Sequence, residues 1–334
     1  MNVATDIFDR QLRDLRISVT DRCNFRCTYC MPKEVFGPGY EFLSRDQLLT
    51  FEEIASVVGH FVGRGVKKVR ITGGEPLLRK NIEGLIGLIS GVDGISDLTL
   101  TTNASLLARK AQGLAEAGLD RVTVSLDAMD DPTFQAMNDV GFPVSTVLEA
   151  IEVASRVGLG PIKVNAVVKR GVNEHAVLDM ARHFRGTGHI VRFIEYMDVG
   201  NSNGWRLDDV VSADEILDSI HGEFPLEAIA PNYPGEVANR FRYLDGAGEV
   251  GVIASVTKPF CGSCTRARVS AEGSLFTCLF ASSGTSLRDV IRSGGDLGAV
   301  LDEVWAKRDD RYSEVRSSNT ARLSVPVEMS YIGG

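Results

Sequence analysis

In its first 200 residues the chain reads as six short strand-like segments separated by five longer amphipathic stretches, and this alternation constrains the fold more than any other feature. The candidate strands are 15–20, 67–72, 97–102, 121–127, 162–168 and 190–197; the helical stretches are 44–62, 77–90, 105–117, 143–157 and 173–185. Ser44 and Gln47 are spaced as a capping box for the first of these helices. Repeated βα units wind right-handed around a parallel sheet, so the expected fold is α/β, a partial (βα)6 TIM-like barrel over residues 1–210. Beyond Gly200 the rhythm gives way to turns such as Asn232-Tyr233-Pro234-Gly235 and to short β-like pieces, with helices expected at 287–292 and 297–307. Residues 211–334 therefore read as an α+β extension.

Parallel strands buried on both faces normally show unbroken apolar runs, but these alternate. Arg16, Ser18 and Thr20 oppose Leu15, Ile17 and Val19; Lys68, Arg70 and Thr72 oppose Val69 and Ile71. Thr123, Ser125 and Asp127 oppose Val122, Val124 and Leu126, while Lys163 and Asn165 oppose Ile162 and Val164. With helices over the apolar face, the polar face lines the interior. An unpaired buried charge costs several kcal/mol, so the barrel is expected to be open and to hold an anion. An antiparallel sheet with one wet face would alternate in the same way, but the intervening helices argue against it. Chemistry in β/α barrels gathers at the C-terminal strand ends. There this chain places Cys23 to Cys30, Gly73-Gly74-Glu75-Pro76, Thr101 to Asn103, Ser125 to Asp127, and Met197.

The six cysteines form two triads, Cys23/Cys27/Cys30 and Cys261/Cys264/Cys278, with none left over. With 36 Lys+Arg against 44 Asp+Glu the net charge is −8, a poor field for nucleic acid or an anionic membrane, so an anionic ligand needs a local group of cations. Charges occupy the first ten residues where a signal peptide has its apolar run, and no 18-residue apolar stretch occurs. The expectation is a cytoplasmic protein with neither a nucleic-acid nor a membrane partner. Thiols in that reducing compartment serve as metal ligands or reactive groups before disulfides. A cubane [4Fe–4S] cluster takes four thiolates, so three leave one iron open to a small ligand. Zinc prefers a closed tetrahedral site; the second triad would need a distant fourth ligand, His221 being the nearest histidine upstream. Zinc and iron–sulfur are evenly matched for that triad. For the first, the x3, x2 spacing with Phe25 and Tyr29 in a loop after a strand favours iron–sulfur.

Cys23-Asn24-Phe25-Arg26-Cys27-Thr28-Tyr29-Cys30 resembles the radical S-adenosylmethionine (SAM) signature, and Gly73-Gly74-Glu75-Pro76 resembles that superfamily's motif for the methionine amine. A closer resemblance is to the GTP 3′,8-cyclase family of molybdenum cofactor biosynthesis. It rests on Cys30-Met31-Pro32, the segments 70–76, 192–198, 259–268 and 277–280, and the terminal Gly333-Gly334. Two departures stand out: Ala104 follows Asn103 where many members have Gly, and the stretch 136–142 lacks an expected Gly-Arg pair.

The resemblance implies two [4Fe–4S] clusters and SAM as cofactors, with GTP as substrate. The open iron of the first cluster would chelate SAM, whose one-electron cleavage gives a 5′-deoxyadenosyl radical that takes the ribose 3′ hydrogen, after which the sugar attacks guanine C8. It further implies SAM contacts from Tyr29, Gly74, Ser125 and Met197. GTP contacts would come from Arg16, Arg70, Thr101, Lys163, Arg266, Ala267 and Arg268, with Lys68 as an extra cation. The second cluster would hold the guanine, and the Gly333-Gly334 tail would reach the site. Members are commonly homodimers, a cyclic pyranopterin monophosphate synthase acts downstream, and the reductant is unspecified. The competing readings are a peptide-modifying radical SAM enzyme, which usually carries more auxiliary cysteines, and a non-catalytic zinc-binding protein.

Overall fold

The computed structural model describes residues 3–316 and 326–333. The expected strands form as β1 (Asp14–Ser18), β2 (Lys68–Thr72), β3 (Asp97–Thr102), β4 (Arg121–Ser125), β5 (Lys163–Val168) and β6 (Ile190–Glu195), pairing in parallel in chain order. The C-terminal region adds β7 (Leu226–Ile229), β8 (Asn239–Tyr243), β9 (Glu249–Ile253), β10 (Arg266–Val269), β11 (Ser274–Phe276) and β12 (Thr285–Ser286). β10 pairs parallel with β1, and β9 parallel with β6. Antiparallel β11–β12 and β8–β7 extend those two edges. The strand order is β12-β11-β10-β1-β2-β3-β4-β5-β6-β9-β8-β7, a partial barrel whose described edges are β12 and β7. Position 210 falls between β6 and the helix Ala213–Glu223, and one sheet runs across it.

Alternation sorts the strand faces. Ile17, Val69, Leu100, Val124, Val164 and Phe193 are fully buried in the core beneath the helices Phe51–Val62, Ile82–Ser90, Leu107–Glu116, Val144–Arg156 and Ala176–Phe184. Each such side chain contributes about 1.5–3 kcal/mol through burial. The first helix starts later than the Ser44/Gln47 pair implied. Gln47 Oε1 instead accepts from the Ser44 N–H and hydroxyl in a turn, while Thr50 and Glu53 form the true capping box. The stretch expected at 77–90 is interrupted by Asn81 at φ +60°, leaving a 3-10 turn, Pro76–Leu78, before the helix proper. A helix absent from the sequence reading, Asp131–Asn138, begins at Asp130, whose carboxylate caps the Thr133 N–H at 2.8 Å with Pro132 in the first turn. Its end packs on the first cysteine loop: the Arg26 and Thr28 N–H groups donate to the Asn138 and Met137 carbonyls. Among the described residues no helix is long and apolar enough to cross a membrane.

Candidate active site

The polar strand faces enclose one cavity, and all six cysteines line it. Cys23, Cys27 and Cys30 enter from the loop after β1, held by close approach of the next loop. A Cβ on Gly73 would lie 2.4 Å from the Thr20 carbonyl oxygen, and one on Gly74 would lie 2.3 Å from that of Arg22. Glu75 is 1% exposed and accepts from the Leu77 N–H, the Thr102 hydroxyl and the Asn103 N–H at 2.8–3.0 Å. Its carboxylate thus ties the end of β2 to β3, and burial pushes its pKa up to about 7. Tyr29 donates to Asp127 Oδ2 at 3.0 Å, and Asp127, raised to about 6 by burial, also accepts the Val167 N–H. Asn103 Nδ2 approaches Cys23 Sγ at 3.8 Å, and the adjoining Ala104 sits at φ +64°, the left-handed conformation that favours glycine.

Burial raises the Cys23 thiol to about 12 and pushes Cys27 and Cys30 well above the usual thiol range. Three half-buried thiols lining one cavity ionise when a metal supplies the missing positive charge, so the donor set fits an iron–sulfur cluster. No three His, Cys, Asp or Glu side chains among the described residues are gathered as a single ion requires; a cubane spreads its thiolates over different irons. His221, the histidine considered as a zinc ligand, accepts the Leu226 N–H at 3.1 Å within its own helix–strand connection.

Cys261 and Cys264 flank a single 3-10 turn before β10, and Cys278 follows β11. Burial opposes ionisation of Cys264, but the guanidiniums of Arg266 and Arg308, with the Arg266 Nη2–Sγ bond at 3.3 Å, bring it down to about 6. Cys278 rises with burial to about 11.

Between the triads lies a basin of cations. Arg16, Lys68, Arg70, Arg192, Arg266 and Arg268 all line the cavity. Burial and mutual repulsion lower Arg16, Arg70, Arg192 and Arg268, the last two to about 9. Arg70 Nη1 donates to the Thr101 and Thr123 hydroxyls, and Arg192 Nε donates to Asn165 Oδ1. Lys163 sits at the margin, 4.0 Å from Glu236; burial and neighbouring cations pull it to about 7 and Lys68 to about 8. Lys68 also donates to the Tyr233 hydroxyl and lies 3.2 Å from Asp97. Carboxylates do not match this charge, and a polyanion would.

The expected site residues are brought together with two distinctions. Tyr29, Gly74, Ser125, Met197 and Thr101 line the cavity, whereas Lys163 is not among the residues that line it, and Ala267 faces the other way, fully buried in the core, so that its side chain offers the cavity nothing. Gly333 lies inside the barrel at φ +77°, its carbonyl accepting from Arg268 Nη1; Gly334 is outside the described residues. Sequence reasoning missed Arg192, although it continues the polar face one strand beyond Asn165, its register partner. It placed Asn103 and Asp127 at the strand ends without their partners, Cys23 and Tyr29, and missed Glu195. Glu195, fully buried, accepts the Ala213, Val256 and Thr257 N–H groups and ties the end of β6 to the second half of the chain.

A partial β/α barrel with a three-cysteine loop after its first strand and an open polar interior defines a radical SAM protein, and the Radical SAM superfamily pattern matches residues 17–184. That of Molybdenum Cofactor Synthesis C matches residues 189–314. GTP 3′,8-cyclases from Acidothermus cellulolyticus and Xanthomonas axonopodis pv. citri are 52% and 51% identical, each alignment covering 98% of both chains. The cyclase of Staphylococcus carnosus is 46% identical over 99% of this chain and 98% of its own. The chain belongs to the GTP 3′,8-cyclase family. The fold is shared with Streptococcus suis SuiB, solved with S-adenosylmethionine (TM-score 0.61, 14% identity, 88% of this chain and 69% of that one). With precursor peptide SuiA bound, SuiB matches with TM-score 0.65, 14% identity and coverage of 92% and 67%.

Proposed function

We propose that this enzyme converts GTP to (8S)-3′,8-cyclo-7,8-dihydroguanosine 5′-triphosphate, the first step of molybdenum cofactor biosynthesis, using SAM and two [4Fe–4S] clusters. One observation carries the reading: a single cavity holds both cysteine triads with a cation basin between them. When bound, the first cluster and SAM supply one-electron cleavage and hydrogen-atom abstraction. Cys23, Cys27 and Cys30 hold that cluster, and Tyr29, Gly74, Ser125 and Met197 surround SAM. Asp127 fixes the Tyr29 hydroxyl, so the ring keeps one orientation against its ligand. Cys261, Cys264 and Cys278 would hold the second cluster, which would supply a binding point for the guanine, and Arg16, Arg70, Lys163, Arg266 and Arg268 take the triphosphate with Thr101. Ala267 serves through its backbone. Holding both ends of the nucleotide sets the ribose 3′ position against the SAM side of the cavity, the orientation the reaction requires.

Functionally the chain divides near 210: residues 1–210 carry the SAM chemistry and 211–334 the substrate end, with the Gly333-Gly334 tail entering between them. A cytoplasmic homodimer that passes its product to a cyclic pyranopterin monophosphate synthase completes the proposal. The test is anaerobic reconstitution with SAM, dithionite and each nucleoside triphosphate in turn, following 5′-deoxyadenosine and deuterium from GTP labelled at the ribose 3′ position. Label in deoxyadenosine with GTP alone is the expected result; deoxyadenosine without label would remove GTP as the substrate.

A further inference from the structure

Two arginines hold the turn that carries Cys261 and Cys264: Arg308, which lines the cavity, and Arg10, which does not. Arg10 Nη1 donates to the Cys261 carbonyl at 2.9 Å and to the Asp310 carbonyl at 2.7 Å. Arg308 Nη1 donates to the Cys264 carbonyl at 2.8 Å. One carboxylate aligns both: Asp6 Oδ2 lies 2.6 Å from Arg10 Nε and 3.2 Å from Arg308 Nη1, while Oδ1 accepts the Arg10 N–H. The Arg308 guanidinium lies 4.7 Å over the Trp305 ring, whose Nε1 donates to the Arg10 carbonyl, and Asp310 Oδ2 stands 3.4 Å from Arg308 Nε. Arg10, Arg308, Asp6 and Trp305 are all buried.

Well-packed apolar side chains would often stabilise such a place as well as a buried ion network does. Stability alone therefore does not account for guanidiniums aimed at the carbonyls of two successive cysteine ligands. Hydrogen bonds from charged donors in a buried setting are strong and directional, so each fixes a ligand's peptide plane and sets its Cβ–Sγ vector. Outer-shell contacts of this kind tune metal sites as much as they orient them.

We propose that Arg10 and Arg308, aligned by Asp6, are positioning residues for the second iron–sulfur cluster. They hold the Cys261–Cys264 turn in register with Cys278 and place positive charge beside the cluster, favouring its reduced state. The proposal rests on the assignment of the second triad as a cluster site. It also makes residues 6–10, distant in sequence from Cys261, Cys264 and Cys278, part of that site.

The test uses full-length protein reconstituted anaerobically: Arg10→Met and Arg308→Met against Arg10→Lys and Arg308→Lys. Iron and acid-labile sulfide per chain, the electron paramagnetic resonance spectrum of each reduced cluster, and the midpoint potential of the second are measured. Unsubstituted protein carrying a single cluster's iron, unchanged by Cys264→Ser, would remove the second cluster itself, whatever the arginine variants do. With two clusters present, the methionine variants are expected to bind the second about 10- to 100-fold more weakly. Where it forms, it has a more negative potential and altered spectrum, the first cluster's signal is unchanged, and lysine restores part of the loss. Unchanged occupancy, spectrum and potential, or equal loss of both clusters, would overturn the proposal. Should the methionine variants not fold, Asp6→Asn releases both guanidiniums with little change of volume and is read by the same spectra.

Discussion

The two cysteine triads share a cavity yet sit in opposite electrostatic surroundings. Around Cys23, Cys27 and Cys30 the charged neighbours are mainly carboxylates, Glu75, Asp127 and Glu328, with Arg26 as a cation. Around Cys264 they are the guanidiniums of Arg266 and Arg308, while Cys278 has both Asp310 and Arg268 beside it. The cavity is thus polarised along its length. SAM carries a sulfonium and an ammonium group and suits the first end; a triphosphate with about four negative charges suits the basin that continues from the second. The field sorts two ligands of opposite charge before any specific contact forms.

The strongest way to break this comparison is to remove one thiolate from each end. Cys27→Ser is expected to abolish SAM cleavage, read as loss of 5′-deoxyadenosine; retained cleavage would deny the first triad its role. Cys264→Ser should leave the first cluster's spectrum intact while GTP turnover falls by about 100-fold or more, and unchanged turnover would make the second triad incidental.

Arg16→Ala probes the basin. Arg16 is repelled by Arg268, Arg70 and Arg266, so GTP binding should weaken about 10- to 100-fold, the equivalent of a charge-assisted hydrogen bond. SAM binding should be unaffected, and the melting temperature should hold or rise because a repelled buried cation is gone. Equal loss of both ligands would mean the cavity is not polarised.

The lysines sharpen the same point through pH. Lys163 and Lys68 are pulled down to about 7 and about 8 by burial and neighbouring cations, and a bound triphosphate raises both. Binding therefore takes up protons: GTP affinity is full below the lower of these values and declines as pH rises through them, by up to about tenfold per pH unit per lysine. Calorimetry in buffers of different ionisation enthalpy checks the uptake; an affinity that rises with pH would contradict it. The smallest effect belongs to Gly333→Ala. A Cβ there would lie 2.3 Å from Thr72 Cγ2 at a positive φ, so a severalfold loss of product with both cluster spectra unchanged is expected, whereas full activity would leave the tail without a part in the site.

The parallel strands, their polar and apolar faces and both triads were legible because each is carried by local periodicity or spacing. Arg70 and Val69 are told apart by alternation alone, and the structure puts one in the cavity and the other in the core. The same alternation would have placed Ala267 outside, since it lies between Arg266 and Arg268; the motif resemblance drew all three in together. The helix Asp131–Asn138 went unread although Asp130-Asp131-Pro132 is a start signal, because its eight residues show too few turns of apolar period to stand out. Arg10, Arg308 and Asp6 belong to no motif: Asp6 and Arg10 are neighbours, but Arg10 reaches Cys261 across 251 residues, Asp6 reaches Arg308 across 302 and Arg308 reaches Cys264 across 44.

By itself, then, the sequence determined the chemistry each segment brings: thiol spacing, strand-face polarity and the paired glycines after β2 are properties of neighbouring residues. Only the tertiary structure decided that β9 and β10 attach to opposite edges of the six-stranded core, beside β6 and β1. The β10–β1 pairing sets the second triad at the N-terminal end of the strands, opposite the loop that carries the first, with the cation basin between them. Its physical basis is non-local: strand edges left with unpaired N–H and C=O groups must be satisfied, and no spacing along the chain records which distant strand will satisfy them.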